Sequence, residues 1–327
     1  MNSFKRVTGV FVISLVVLIF ITVFGYFLRP LDTDEAYSQV NTLHELPKDS
    51  IEVMVYGSSH AFRGVDVMEM YDKYGIGAYN YSWHWQRINT TRMFFKDSLD
   101  VQKPKVVLIE GYRTCEVLQD SDITGEIYYA RYVKNKNAVK EYLKSCFGDK
   151  LERYFSFYVP FYAFHANWSN MTADSFKPLS IDKNYRKNMG FYPSRDVYAA
   201  QISDYKDFKQ EEMDEDSKVV LDDIVSICKE KGIEVVFFTI PYQGEYKYRD
   251  AMKKYAAEND CVYLDLFELF NEVGLDENTD YSDYSHLNVN GAKKVGDFLG
   301  KYLVEHYELS DMRKVEDNLW EQAKAIQ

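Results

Sequence analysis

Apolar positions along this chain change their spacing from one region to the next, and each spacing implies a different element. From residue 7 to residue 28 there is no charged residue, and Val, Ile, Leu and Phe dominate. That length spans the hydrocarbon core of a bilayer, which needs about 20 apolar residues. Lys5 and Arg6 precede the run, while Asp32, Asp34 and Glu35 follow it. Positive charge on the near side puts the N-terminus in the cytoplasm and the rest outside, with Arg29 as an opposing signal. A cleaved signal peptide is the rival reading. Against it, the run is long for a signal-peptide core, and Gly25-Tyr-Phe-Leu-Arg-Pro30 lacks a small-x-small cleavage pattern. The expectation is an uncleaved single-pass signal anchor over 1–30, followed by a polar stalk over 31–50.

Beyond residue 50, short apolar runs alternate with stretches of helical spacing. The pattern predicts strands over 52–56, 78–81, 105–110, 234–240 and 262–266. It predicts helices over 65–74, 87–98, 212–231, 246–258 and 291–306. Gly232 closes one helix directly before Ile233-Glu-Val-Val-Phe-Phe-Thr-Ile240, and Pro241 ends that strand. Strands alternating with helices imply a parallel sheet covered on both faces, a three-layer doubly wound α/β domain over 51–309. From about 114 to 211 the rhythm breaks into Tyr-, Phe-, Lys- and Asn-rich sequence. We expect an insertion of helices and loops there; no linker-like composition marks it as a separate domain. Residues 310–327 predict an exposed charged helix with Leu319, Trp320 and Ile326 as docking points.

Composition narrows the function classes. Hydrophobic residues make up 46% of the 327, enough for a packed core. A net charge of −12 argues against a nucleic-acid backbone as partner. The 28 Tyr and 21 Phe point first to packing and second to a carbohydrate-facing aromatic surface. Cys115, Cys146, Cys228 and Cys261 show no metal-like spacing. Cys228 and Cys261 suit a core, and whether Cys115 and Cys146 pair stays open. His44, His165 and His306 do not cluster with acids or cysteines, and no phosphate loop or dinucleotide fingerprint occurs. No metal and no cofactor are expected.

Two segments more than two hundred positions apart carry chemistry. Gly57-Ser58-Ser59-His60 follows the first strand, at the sheet end where ligands bind in this architecture. Gly57 permits a sharp turn, and a serine opening the next helix keeps its N–H free for an oxyanion. Helix capping is the alternative role for these serines. Asp283-Tyr-Ser-His286 lies between the last strand and the last helix. A carboxylate three positions before a histidine can fix the imidazole tautomer, leaving the other nitrogen for a serine.

These motifs resemble the SGNH (GDSL-type) hydrolase and acyltransferase superfamily. There, a Gly-x-Ser motif after the first strand carries the nucleophile, and an Asp-x-x-His motif precedes the last helix. Here Gly57-Ser58-Ser59 and Asp283-Tyr-Ser-His286-Leu-Asn-Val-Asn-Gly291-Ala292 match them. The resemblance implies Ser59 as nucleophile, His286 as base and Asp283 as its orienting partner. It covers about 52–111 and 218–302 and leaves the insertion uncovered. Ser58 stands where GDSL enzymes have Asp. With the anchor, this looks like the DltD-like and alginate-acetylation branch, which acts beside a membrane-bound O-acyltransferase partner. The family's glycine donor of the second element is absent from Asn80-Tyr-Ser82-Trp-His84-Trp-Gln86, where Ser82 is the nearest equivalent. Its Gly-x-Asn-Asp element is replaced by Gly111-Tyr112-Arg113. Arg113 either substitutes electrostatically or pairs with Glu110 or Glu116. Asn80 and His84 are further candidate binding residues; His84, between Trp83 and Trp85, suits a sugar groove or a packed loop.

The resemblance therefore implies a membrane-anchored extracytoplasmic O-acyltransferase transferring acetyl groups to a cell-envelope or exported polysaccharide. A carbohydrate esterase or deacetylase acting by hydrolysis shares the same triad. A non-catalytic envelope binding protein on the same scaffold is the alternative from another class.

Overall fold

The computed structural model describes residues 2–30, 33–118 and 125–326. Asp32, used above as a topology signal, residues 119–124 of the insertion and Gln327 lie outside the described residues. The elements run α1 (Asn2–Phe27), α2 (Thr33–Glu45), β1 (Val53–Tyr56), α3 (Ser59–Gly64), α4 (Val67–Tyr74), β2 (Ala78–Asn80), α5 (Ile88–Ser98) and β3 (Val106–Glu110). The insertion supplies α6 (Gly125–Tyr129), α7 (Lys136–Phe147), α8 (Leu151–Tyr158), α9 (Pro160–Phe164) and α10 (Lys183–Lys187), with short 3-10 turns between. Then follow α11 (Glu215–Lys231), β4 (Glu234–Thr239), α12 (Arg249–Glu258), β5 (Val262–Asp265), α13 (Phe270–Val273), α14 (Val289–His306) and α15 (Leu319–Lys324).

All five strands pair in parallel, in the order β2-β1-β3-β4-β5. β1 and β3 are buried along their whole length, so both faces of the sheet must be covered. Helices α3, α4 and α14 pack together on one side, and α5, α7 and α11 on the other. Close packing on the first side is allowed by Gly296 of α14, where a Cβ would lie 2.4 Å from the Asp66 carbonyl. This is the doubly wound three-layer α/β architecture expected. Its strand order reverses direction between β1 and β3, and ligands bind at such switch points.

Two expectations need correcting. The polar stretch over 31–50 is not a stalk: α2 packs into the domain, with Ala36, Val40 and Leu43 buried on one face. Charges on the other face masked that stripe, and its polar residues serve buried hydrogen bonds. Gln39 Nε2 donates to the carbonyls of Asn80, Ser82 and Gly190, and His44 Nε2 lies 2.8 Å from the buried Asp97 carboxylate. Nor is the tail one exposed helix. A 3-10 turn, Met312–Lys314, leads to the short α15, whose Trp320 is fully buried and stacks on Tyr71 at 5.6 Å. All four cysteines are free thiols, so Cys115 and Cys146 do not pair. Helix α1, over Phe4–Phe27, is long and apolar enough to cross a membrane.

Candidate active site

The site is built from the carboxyl ends of β1 and β3 and from the loop that precedes α14. After Tyr56 the chain turns at Gly57, whose φ of +157° and crowding favour glycine. A Cβ there would lie 2.6 Å from the Glu110 Cβ and 2.9 Å from the Ala61 Cβ. Ser58 caps α3, its hydroxyl accepting from the His60 N–H at 3.3 Å. That is the capping role the sequence allowed, and it belongs to Ser58 alone. Ser59 is the first residue of α3, where a backbone N–H has no helical acceptor.

The second segment forms a tight loop rather than a helical turn. Tyr281 bridges to Leu287, and Ser282 N–H donates to the His286 carbonyl. Asn288 caps α14 and donates to the carbonyls of Thr279, Tyr281 and Asp196, which fixes the loop from below. Within it Asp283 Oδ1 accepts from the N–H groups of Ser285 and His286 at 2.8 and 2.9 Å. Both Asp283 oxygens lie 2.9 Å from His286 Nδ1. A carboxylate only accepts, so Nδ1 carries the proton and Nε2 presents its lone pair. His286 Nε2 lies 2.7 Å from Ser59 Oγ. The two distant segments thus meet as a serine–imidazole–carboxylate chain.

The electrostatics suit a neutral base. Burial holds His286 below the ordinary histidine range; the Asp283 contact opposes this, and the nearby Arg63 adds to it. Burial pushes the Asp283 carboxyl upward, but hydrogen bonds from the His286 ring and the loop N–H groups outweigh it, so it stays ionised. Arg63 Nη1 is 3.8 Å from Asp283 Oδ2. It sits one helical turn after Ser59, so it faces the same side; that spacing of four was the available signal, and sequence reasoning missed it.

Two further residues went unassigned as site residues. Glu110, at the end of β3, is buried beneath the Gly57-Ser58-Ser59 turn. Its Oε2 accepts from the Ser58 hydroxyl at 3.2 Å and its Oε1 from the Tyr112 N–H at 2.9 Å. Burial pushes this carboxyl up to about 8, against the hydrogen bonds it accepts, so it is mostly neutral at pH 7. Its place at the end of the strand beside β1 was the legible clue. His60 is buried, stacks on Tyr112 at 3.9 Å, and its Nε2 lies 3.1 Å from Ser285 Oγ. Burial first, then the charges of His286 and Arg113, lower it well below the ordinary range. It forms an uncharged wall of the site.

The remaining candidates separate. His84 is half-buried against Phe62 at 5.0 Å; burial, with Arg63 and His286 nearby, lowers it to about 4. Asn80 does not reach the site: its side-chain amide donates to the Ala61 and Val65 carbonyls, tying β2 to α3. The Ser82 hydroxyl is buried and donates to the Val55 carbonyl at 3.4 Å, so it is turned away from Ser59. Arg113 pairs with Glu116, not Glu110, and its guanidinium lies 4.6 Å from the exposed Trp85 ring.

Neither a known family model nor a curated protein matches the chain. Among solved structures it is similar to an inferred acylhydrolase from Bacteroides fragilis NCTC 9343. The identity is 11% and the TM-score 0.39, covering 81% of this chain and 94% of that one. It is also similar to an inferred lipolytic protein of the G-D-S-L family from Desulfitobacterium hafniense DCB-2. There the identity is 14% and the TM-score 0.39, covering 77% and 98%. Likeness at this level carries nothing about activity.

Proposed function

We propose that this chain is a membrane-anchored serine acyltransferase or esterase of SGNH type, with Ser59, His286 and Asp283 as its triad. The observation that carries the reading is the 2.7 Å approach of His286 Nε2 to Ser59 Oγ, with Asp283 on the opposite nitrogen. His286 Nε2 takes the Ser59 hydroxyl proton as Oγ attacks an ester carbonyl carbon. The tetrahedral oxyanion forms beside the free N–H of the first turn of α3. It collapses as His286 returns the proton to the leaving oxygen. The Ser59 acyl ester is then resolved by a second hydroxyl, with the same base activating it.

The apolar span of α1 supports transfer over general hydrolysis, since it holds Ser59 near membrane-delivered acyl groups. On this reading the N-terminus is cytoplasmic, the domain extracytoplasmic, the acceptor an envelope or exported polysaccharide, and a membrane-bound O-acyltransferase the donor-side partner. Hydrolysis is favoured by one feature: the Asp283 side chain is 38% exposed, so water reaches the triad's edge. The test is covalent labelling of the full chain in detergent with a fluorophosphonate. Wild type is expected to label and Ser59→Ala not to. Equal labelling of both proteins would sink the assignment. Product analysis with an acyl donor, with and without a polysaccharide acceptor, separates transfer from hydrolysis.

A further inference from the structure

Helix α8 presents an apolar stripe to solvent. Leu151, Phe155 and Tyr158 stand at i, i+4 and i+7 and are 80%, 55% and 63% exposed, while Ser156 and Phe157 on the other side are buried. The stripe continues into α9, where Tyr162 is exposed and its ring lies 5.4 Å from Phe155. Trp168 and Phe176 in the next turns are 69% and 59% exposed. A water-soluble surface does not ordinarily gather large apolar residues this densely.

The same segment grips the end of α1. The Phe24 ring lies 6.2 Å from Phe161, and Phe27 lies 5.2 Å from Phe176. A Cβ at Gly25 would fall 2.2 Å from the Phe161 backbone nitrogen, so helix and segment touch at the backbone. Asn167 Nδ2 donates to the Leu28 carbonyl at 2.8 Å, and the Leu179 N–H donates to the Tyr26 hydroxyl. Asn167 thus fixes its neighbour Trp168 beside the last turn of the apolar helix. That depth is the membrane–water boundary, where Trp and Tyr rings settle because one end is apolar and the other wet.

We infer that α8, α9 and the turns through Phe176 form a membrane-interfacial platform that lays the domain on the outer surface of the bilayer. The inference rests on α1 being a span, and its occupant is the lipid headgroup region. Continuity with α1 selects lipid: a partner docking on the stripe would have to displace the bilayer that already surrounds the adjoining helix. With a net charge of −12, the chain gains little from anionic headgroups; insertion of rings supplies the contact. The platform, together with the clamped end of α1, holds the proposed site at a fixed height instead of letting it swing on a tether.

The test uses the full chain in phosphatidylcholine nanodiscs, prepared with lipid brominated near the headgroup or deep in the acyl chain. Tryptophan emission is compared for wild type, W168F and W85F. Shallow bromine is expected to quench wild type and W85F more than deep bromine does, and the quenched component is expected to vanish in W168F. Equal quenching in wild type and W168F, or none in either, overturns the inference. Quenching-independent shielding of Trp168 that appears only when two chains share a disc assigns the stripe to a second copy and also overturns it. Carbonate extraction of the same protein from membranes tests the span separately. A chain that extracts refutes the span itself; a chain that stays embedded with Trp168 unquenched refutes only the platform.

Discussion

Glu110 offers a measurable consequence of placing an acid under the Gly57-Ser58-Ser59 turn. Replacing it with Gln keeps its shape and removes its titration. The carboxyl lies at about 8 in the folded protein against an ordinary 4.5. Because the folded value is raised, the group's stabilising contribution is complete below about pH 4.5 and is lost as pH rises through 8. Each pH unit in that window costs the folded state about 1.4 kcal/mol. Between pH 6 and pH 9 wild type should therefore lose about 3 kcal/mol at this position, and E110Q none. An unfolding entropy of about 2.1 cal/mol/K per residue turns this into a Tm change of roughly 4–5 °C for a domain of this size. The amide can accept from Tyr112 and donate to the Ser58 hydroxyl, which has a spare lone pair. Any mismatch is independent of pH, and groups common to both proteins cancel. The assay is thermal unfolding of both full chains in detergent, followed by circular dichroism at pH 6 and pH 9. E110Q should gain on wild type by those few degrees on going to pH 9. A Tm difference that is the same at both pH values refutes a buried neutral acid at Glu110.

The other expectations concern the triad and the tail. In the proposed mechanism His286 acts unprotonated, and it lies below the ordinary 6.5, so activity lost on acidification should reach half its plateau below pH 6.5; a midpoint above 6.5 in fluorophosphonate labelling rates counts against it. Asp283→Asn removes the charge and puts an NH₂ donor in place of one carboxylate oxygen. With the amide oxygen held by the Ser285 and His286 N–H groups, the donor faces Nδ1 and favours the wrong tautomer, which should slow acylation by about 10²–10⁴-fold while the far-ultraviolet spectrum is kept. Trp320→Ala empties a fully buried, stacked position and should cost about 3–5 kcal/mol in denaturant unfolding, with the tail becoming the first site of limited proteolysis.

What the sequence disclosed depended on whether a signal was local. All five strands were legible within two residues at each end, because buried parallel strands are continuous apolar runs bounded by turn residues. Helix α2 was hidden because its polar residues are structural: Gln39 and His44 reach carbonyls and a carboxylate 41 and 53 positions away. No periodicity rule rewards a buried glutamine. In the tail, Trp320 was legible as a docking point and is buried on Tyr71; what was misjudged is the single helix, which is instead a 3-10 turn and a short α15. In the site, Ser59, His286 and Asp283 carried motif spacing and could be named. Arg63 and Glu110 gain meaning only from the helix phase after Ser59 and from the pairing of β1 with β3.

The groups around Ser59 divide by charge in a way that constrains the proposed chemistry. His60 and His84 are held below their ordinary range and Glu110 above its own, so the walls nearest the serine are uncharged near neutral pH. Arg113 is committed to Glu116. The charge of Arg63 acts on His286, and at 3.8 Å its contact with Asp283 is loose. A loosely paired cation near a base has two opposed effects. It keeps His286 deprotonated and ready, and it disfavours the imidazolium that forms as Oγ attacks. The second cost is offset only if the same charge also faces the developing oxyanion. Removing it by Arg63→Met therefore separates the two roles. If Arg63 acts on His286 alone, the acid limb moves to higher pH and the plateau rate holds or rises. If it also faces the oxyanion, the limb moves and the plateau falls.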